Sequence, residues 1–516
     1  MPPEVLKGCR TRRLRKVSGG MGLQQLLTAF STVACAVAFL IVLRRLLRRR
    51  SASATDWPPG PGKLPIIGNL HQLARGGNLM HHTLAELARL HGPAMTIWIG
   101  SRQPMIVVSN AELAWEVLVS KSSDYASRII LPTVKAIFGD FSTITTSNAG
   151  SSWNALKRGL QNGPLGPSIV SAQTEQHEKD LLTMIGRMKQ QAAETKDHVI
   201  QPLSNIRRAT IRLLSHVCFG ARVESELFVE SLDEILEATI KITSYGSLAE
   251  AFPFASFLPS VHRRRRMTLD LKSQIAQVFL PYLQQSPPTH SFLHVLRSQH
   301  LPEDVIISNI YEMFLLGVDS TASTIVWALA FLIHHQNVQE KVYKEIVNQS
   351  GGSLMVKMED VGKLHYLQAV VKETMRMKPI APMAVPHSAA KDTKLKGRRV
   401  GKGTRVTVNI HALHYDPEVW EHPDSFKPER FLTRSNDGDG GKQQSVEQWF
   451  IPFGAGLRTC AGMELGKLQV ALALGNLVRA FKWSPEIDGD LPDLSEQMLI
   501  ILTMKNPLRA KIEPRD

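Results

Sequence analysis

Leu23 to Leu43 is a run of 21 residues without a single charge, and it closes on Arg44-Arg45-Leu46-Leu47-Arg48-Arg49-Arg50. As a helix, a run of this length covers about 30 Å, the thickness of a bilayer core. A cleaved leader would have a shorter apolar core ending in small residues. An arginine flank instead stops transfer and places the downstream chain in the cytosol. Residues 23–43 are therefore expected to form a single transmembrane anchor, preceded by a basic extension, residues 1–22. The formal charge of +15 is concentrated here, with eleven Lys or Arg and one acid, Glu4, in residues 1–50. A basic excess confined to a membrane flank does not predict a nucleic-acid partner. The four cysteines, Cys9, Cys35, Cys218 and Cys460, are too scattered for a disulfide scaffold and contain no CxxC pair for structural zinc. They fit a reducing compartment, and a functional cysteine would have to act alone.

Trp57-Pro58-Pro59-Gly60-Pro61-Gly62 and Leu64-Pro65-Ile66-Ile67-Gly68 come after the anchor. Clustered prolines favour extended geometry, so residues 44–68 read as a basic flank and semi-rigid hinge. Residues 69–516 show no internal repeat and no long linker and read as one large unit. Helical periodicity dominates it, over Leu79–Leu90, Ala111–Ser120, Leu203–Cys218, Leu232–Thr243, Pro302–His335, Val338–Val347, Leu364–Met377 and Cys460–Phe481. Strand-like runs are short: Met95–Ile99, Met105–Val108, Arg405–Asn409 and the tail near Leu499–Thr503. Arg434–Glu447 is a patternless loop rich in Gly, Asp, Ser and Gln. The fold class is mainly α, with small β-sheets.

The strongest chemical signal is Phe453-Gly454-Ala455-Gly456-Leu457-Arg458-Thr459-Cys460-Ala461-Gly462. Its glycines let the backbone approach a flat ligand closely. Cys460 is expected to open a long helix, whose positive end stabilises a thiolate. Arg458 is placed to pair with a ligand carboxylate. Such a thiolate suits the axial position of a haem iron.

This segment resembles the haem-binding signature of cytochromes P-450, FxxGxRxCxG, with Cys460 as iron ligand. Glu373-Thr374-Met375-Arg376 resembles the family's ExxR, and Pro428-Glu429-Arg430-Phe431 its PERF element. Glu373 and Arg376 lie one helical turn apart and are expected to pair and hold Arg430. Leu316-Gly317-Val318-Asp319-Ser320-Thr321 resembles the family's [AG]Gx[DE]T[TS], whose acid and alcohol deliver protons for dioxygen activation. Here Leu316 replaces a small residue and Ser320 the usual threonine; the serine keeps a hydroxyl donor. Trp153 with Lys157 and Arg158 is similar to the family's WxxxR, and His387 matches a further propionate contact. The resemblance implies a cytochrome P-450 fold behind a single N-terminal membrane helix, with haem b bound through Cys460, Arg458, Phe453, Trp153, Lys157, Arg158 and His387. It also implies electrons from NADPH through a cytochrome P-450 reductase and a place in the endoplasmic reticulum membrane with the catalytic domain, 69–516, in the cytosol.

Other features read more blandly. His81-His82 and His334-His335 have no third ligand at a metal-site spacing and read as surface or core histidines. Asn348-Gln349-Ser350 is an idle glycosylation sequon in a cytosolic domain. Phe252, Phe254, Phe257 and Leu258 ahead of His262-Arg263-Arg264-Arg265-Arg266 suit either a membrane-dipping surface or core residues before a solvated helix.

Within the family, Leu315–Thr321 with Trp327–Leu332, Glu373–Pro382 and Cys460–Gln469 resemble the plant cytochromes P-450 that form methylenedioxy bridges in alkaloid, lignan and piperine-type phenylpropanoid metabolism. This implies ring closure on an ortho-methoxyphenol, with the pocket drawn from Met313, Phe314, Leu316, Val318, Ala381, Met383, Leu499 and Ile501. An aromatic hydroxylase, an O-demethylase, a phenol-coupling oxidase and a reductase-independent haem isomerase or binder stay open alternatives.

Overall fold

The computed structural model describes residues 57–515 except 78, 101–102, 131, 140–142, 221–222, 245–257, 350–352 and 433–448. The basic extension, the anchor, the flank up to residue 56, Phe252, Phe254, Phe257, Ser350 and the loop 434–447 lie outside the described residues.

Pro58–Asp516 is one compact unit. Its principal elements begin with α1 (Met80–His91), β1 (Ala94–Ile99), β2 (Gln103–Val108), α2 (Ser151–Asn162), α3 (Thr174–Glu194) and α4 (Pro202–Phe219). They continue with α5 (Glu226–Ser244), α6 (Pro259–Leu283), α7 (Glu303–His334), α8 (Gln336–Gln349) and α9 (His365–Met377). The last are β3 (His387–Ser388), β4 (Arg405–Val408), α10 (Ile410–His414), α11 (Met463–Ala480), β5 (Glu496–Met498) and β6 (Leu502–Met504).

The helix α7 is the axis of the unit. Glu303 and Asp304 occupy its first turn, where carboxylates complement the positive helix end. It is long and apolar enough to cross a membrane, yet its most apolar stretch is 83% buried inside the protein, so it is a core helix. Residues such as Trp327, Leu329 and Leu332 pack with α3, α9 and α11, while Ile310, Phe314 and Val318 pack with α4, α5 and α6. Gly317 permits the tight crossing with α4: a Cβ there would sit 2.8 Å from Leu214 Cδ1. The helices α2 and α3 were not anticipated, whereas the largely exposed His262–Arg266 lie in the first turns of α6, the solvated helix that was one of the two readings of that stretch. In α6 the buried apolar stripe is one residue per turn, Leu271, Ile275 and Phe279, while Met267, Leu269 and Leu280 lie exposed on the other faces and blur the pattern.

The largest sheet has four strands in the order β1-β2-β4-β3, antiparallel except for the parallel β2–β4 pair. The tail strand begins at Leu502, later than the periodicity suggests, because Leu499–Ile501 make the turn between β5 and β6. Residues 58–68, expected as a hinge, are docked on β1. Thr96 donates from its backbone N–H to Pro59 O (2.9 Å) and from Oγ1 to Pro58 O (2.8 Å). Asn69 donates to Gly62 O and accepts from the Trp98 N–H.

Candidate active site

A cavity of about 390 Å³ opens between the face of α7 and the loop carrying Cys460. The loop is shaped by its backbone. Gly454 and Gly456 have φ of +71° and +65°, a region disfavoured for side chains. At Gly456 a Cβ would lie 1.8 Å from Leu118 O, so no other residue fits there. The Cys460 N–H donates to Phe453 O (3.0 Å), closing the loop. The helix α11 starts at Met463, not at Cys460, because Gly462 takes the N-cap position. Cys460 thus stands just ahead of the helix, open to the cavity though enclosed by protein. Burial pushes its thiol up, opposed by the Gly462 N–H and the Lys157 charge.

The rim beside the cysteine loop is cationic. Arg128, Lys157, Arg458 and His387 all line it. Lys157 Nζ donates to Leu457 O and Thr459 O, and Arg458 donates to Ala126 O, Ser147 O and Ile144 O. Arg128 Nη1 donates to Val385 O and Pro386 O, but its buried Nε has no hydrogen-bond partner. Burial lowers the Arg458 guanidinium to about 9, helped by repulsion from Arg128. Burial and the Arg128 charge take the His387 imidazole down to about 3. An anionic ligand would relieve this crowding of positive charge. The open space where Gly454 and Gly462 would carry Cβ atoms, the cysteine facing it and the orphaned guanidinium N–H together fit a flat dicarboxylate macrocycle with a thiolate-ligated metal.

Several expected contacts fall elsewhere. Trp153 lines the cavity, but its indole N–H donates to Ile144 O (2.8 Å), and its ring lies under the Arg458 guanidinium at 4.2 Å. Arg158 is corrected: it is exposed and outside the cavity, because it lies one helical position beyond Lys157 and turns away from the Trp153–Lys157 face of α2. Phe453 lines the cavity beside Cys460.

On α7, Ser320 and Thr321 face the cavity, and Ser320 Oγ donates to Leu316 O (2.5 Å). Asp319 does not face it. Its carboxylate is buried against α4, where it accepts from Arg207 Nη1, and Arg207 also holds Asp233 at 2.6 Å. Of the expected pocket residues, Met313, Leu316, Ala381 and Ile501 line the cavity. Phe314 and Val318 do not, since the cavity face of α7 runs through 309, 313, 316, 320 and 324, and they occupy the opposite one. Met383 pairs with Asn409 and packs toward Met95 and Leu84, and Leu499 packs into the α4–α6 core. These four are corrections to the pocket.

Motif reading missed Arg128 and Glu312. Arg128 stands outside any recognisable pattern. Glu312 lies one turn before Leu316 on the cavity face, so extending that face backward would have found it. Burial pushes its carboxyl up, although Thr143 Oγ1 (2.6 Å) and the Thr145 N–H (3.1 Å) donate to it and Arg128 lies near.

Behind the cavity, Arg376 donates to both Glu373 oxygens at 2.8 and 2.9 Å, both side chains being fully buried. Arg430 Nε joins the same carboxylate at 3.1 Å, and Arg376 reaches His414 O. The structure thus brings the three residues together into a brace under the segment leading to the cysteine loop.

The family model for cytochrome P450 matches residues 58–512. The chain is 51% identical to piperic acid synthase of Piper nigrum over 90% of its own length and 92% of that protein. It is 48% identical to (S)-canadine synthase of Coptis japonica and to pluviatolide synthase of Podophyllum peltatum, over 94% of this chain and 98% of each of them. Among solved structures, a zebrafish cytochrome P450 with progesterone shares the fold, with a TM-score of 0.71 at 24% identity over 84% of this chain and 99% of that one.

Proposed function

The chain belongs to the cytochrome P450 family, a haem-thiolate monooxygenase fed electrons by a reductase, and we propose that it closes a methylenedioxy bridge on an ortho-methoxyphenol. The observation that carries this reading is near-full-length identity of about half to three synthases of piperic acid, (S)-canadine and pluviatolide, together with the resemblance of Leu315–Thr321 and Cys460–Gln469 to bridge-forming enzymes.

The haem, when bound, supplies activation of dioxygen. Cys460 would ligate its iron, and Arg128, Lys157, Arg458 and His387 would hold its carboxylates. Ser320 and Thr321 present hydroxyls to the cavity and hold protons for delivery there. Met313, Leu316, Ala381 and Ile501 form an apolar wall that orients an aromatic ring, and Glu312, Asn309 and Thr145 offer polar groups at its edge. Holding the phenol oxygen against the methoxy carbon lets it capture that carbon ahead of water, as well-oriented intramolecular reactions do. In the net reaction, the methoxy carbon and the phenol each lose one hydrogen, and dioxygen with two electrons and two protons leaves as two waters. NADPH–cytochrome P-450 reductase is the proposed electron donor, and the endoplasmic reticulum membrane, through residues 23–43, the proposed location.

Membranes carrying the protein and reductase, given a substrate with a trideuterated methoxy group, should yield a product that keeps two deuteriums and gains no oxygen. Labelled formaldehyde as the main fate would make it a demethylase, and an added oxygen with all three deuteriums kept would make it a hydroxylase.

A further inference from the structure

A second group of ligating side chains lies apart from the Cys460 cavity. His81 and His82 on α1 meet His411 on α10, and Glu496 at the start of β5 lies against His81 and His82. One ligand nitrogen from each of the three histidines lies within 4.8 Å of the others. Glu496 Oε2 is 3.0 Å from His82 Nε2 and 3.4 Å from His81 Nε2. The second of these is too poorly directed for a hydrogen bond, so His81 Nε2 is buried without a hydrogen-bond partner. Sequence spacing could not supply the third ligand, because His411 lies in a distant part of the chain and only the fold brings α10 against α1.

We propose that this group is a zinc site, with His81, His82, His411 and Glu496 as its four ligands. Three imidazoles and one carboxylate are a ligand set that suits tetrahedral Zn²⁺. Bonds of 2.0–2.1 Å put neighbouring tetrahedral ligands about 3.3 Å apart, the spacing Glu496 Oε2 already keeps from His81 and His82. The remaining contraction falls to the imidazoles, and His82, whose side chain is 40% exposed, can swing inward.

The surrounding groups are arranged as a metal centre needs. Lys378 Nζ donates to Glu496 Oε1 at 2.5 Å, which anchors the carboxylate and leaves Oε2 turned to the imidazoles. Asn409 Nδ2 donates to His81 O (2.9 Å), while its Oδ1 accepts from the Ala412 N–H and caps α10. One side chain thereby sets the position of α1 against His411. The bound ion would clamp α1 to the β5–β6 hairpin directly behind the substrate wall, since Ile410 beside His411 and Ile501 in the hairpin turn both line the cavity.

The full-length haem-containing protein, stripped with a chelator that leaves haem in place, should take up one zinc per chain in competition with a fluorescent zinc indicator. Zinc-edge X-ray absorption should show three imidazole nitrogens and one oxygen at about 2.0–2.1 Å. Glu496→Gln and His82→Asn should each weaken zinc binding at least about tenfold. The thiolate-type CO difference spectrum should be unchanged in both, which certifies the fold, and half-exposed His82 tolerates replacement. The proposal is overturned by the absence of stoichiometric uptake, by zinc affinity in either variant equal to that of the unaltered protein, or by sulfur in the zinc shell. None of these outcomes bears on the oxidation assigned to the Cys460 cavity.

Discussion

Glu373 and Arg376 show how little a charged pair says in sequence and how much in the fold. Written as ExxR, they would usually be a solvated couple of small consequence. Enclosed completely, Arg376 spends its donors on both Glu373 oxygens and on His414 O, and Arg430 shares the carboxylate. Removing one partner leaves the other charge buried without compensation, which costs about 3–5 kcal/mol. Arg376→Ala should therefore give protein with a much lower unfolding midpoint in urea and little bound haem. Arg376→Lys should fail to restore either, since an ammonium cannot make the two parallel bonds. An unshifted midpoint in Arg376→Ala would remove the brace from the account. Ser320 makes a chemical prediction of the same scale. Its hydroxyl faces the cavity, and Ser320→Ala should raise the hydrogen peroxide released per product formed at similar NADPH consumption. Unchanged coupling would pass the proton-delivering role to Thr321.

At the scale of elements, chain chemistry was most legible where function demands rare residues at fixed spacing, as in the loop 453–462, and along strongly periodic helices such as α7. It was least legible where one residue per turn suffices for burial, as in α6, and where a helix face must be chosen. The motif over 316–321 names six consecutive residues, but a helix presents only one face to a cavity, so Ser320 and Thr321 enter it while Val318 and Asp319 turn toward other helices. Likewise the step from Lys157 to Arg158 carries the second cation into solvent. Residues contributed by distant segments, Arg128 to the cavity and His411 to the histidine group, leave no local trace at all, whereas Glu312 follows from the face of α7 already marked by Leu316 and Ser320. The cysteine loop is the element whose conformation tolerates least. Gly456→Ala combines a left-handed φ of +65° with a Cβ 1.8 Å from the Leu118 carbonyl oxygen, which is backbone and cannot swing aside. The backbone strain alone costs on the order of 1–3 kcal/mol, before the clash is counted. The variant should lose haem occupancy, read as the ratio of haem to protein absorbance. Gly462→Ala, whose Cβ meets no protein atom within 4 Å, should lose occupancy only if the macrocycle fills that space.

Across the whole molecule, buried histidines tie stability to pH. His177 packs with His216 and Asp180 between α3 and α4, and burial, reinforced by His216, lowers its imidazole to about 4. His414 is enclosed beside Arg376, where Nδ1 faces Arg376 O at 3.2 Å, and burial with the Arg376 charge lowers it to about 3. In the unfolded chain both titrate near 6.5, as ordinary histidines do. Below that pH the unfolded chain binds protons that the folded one refuses until pH 4 or lower, so acidification favours unfolding. The stability contributed by keeping these rings neutral is fully present above about pH 6.5 and declines steadily down to pH 4, by a few kcal/mol in all. The thermal midpoint of the full-length protein, followed by circular dichroism, should therefore fall between pH 6.5 and 4.5 while staying nearly level between 6.5 and 7.5. His177→Gln, which cannot titrate, should flatten part of that slope. A slope equally steep in the variant would place the acid sensitivity outside the α3–α4 packing and among the other buried histidines, His387 and His414 included.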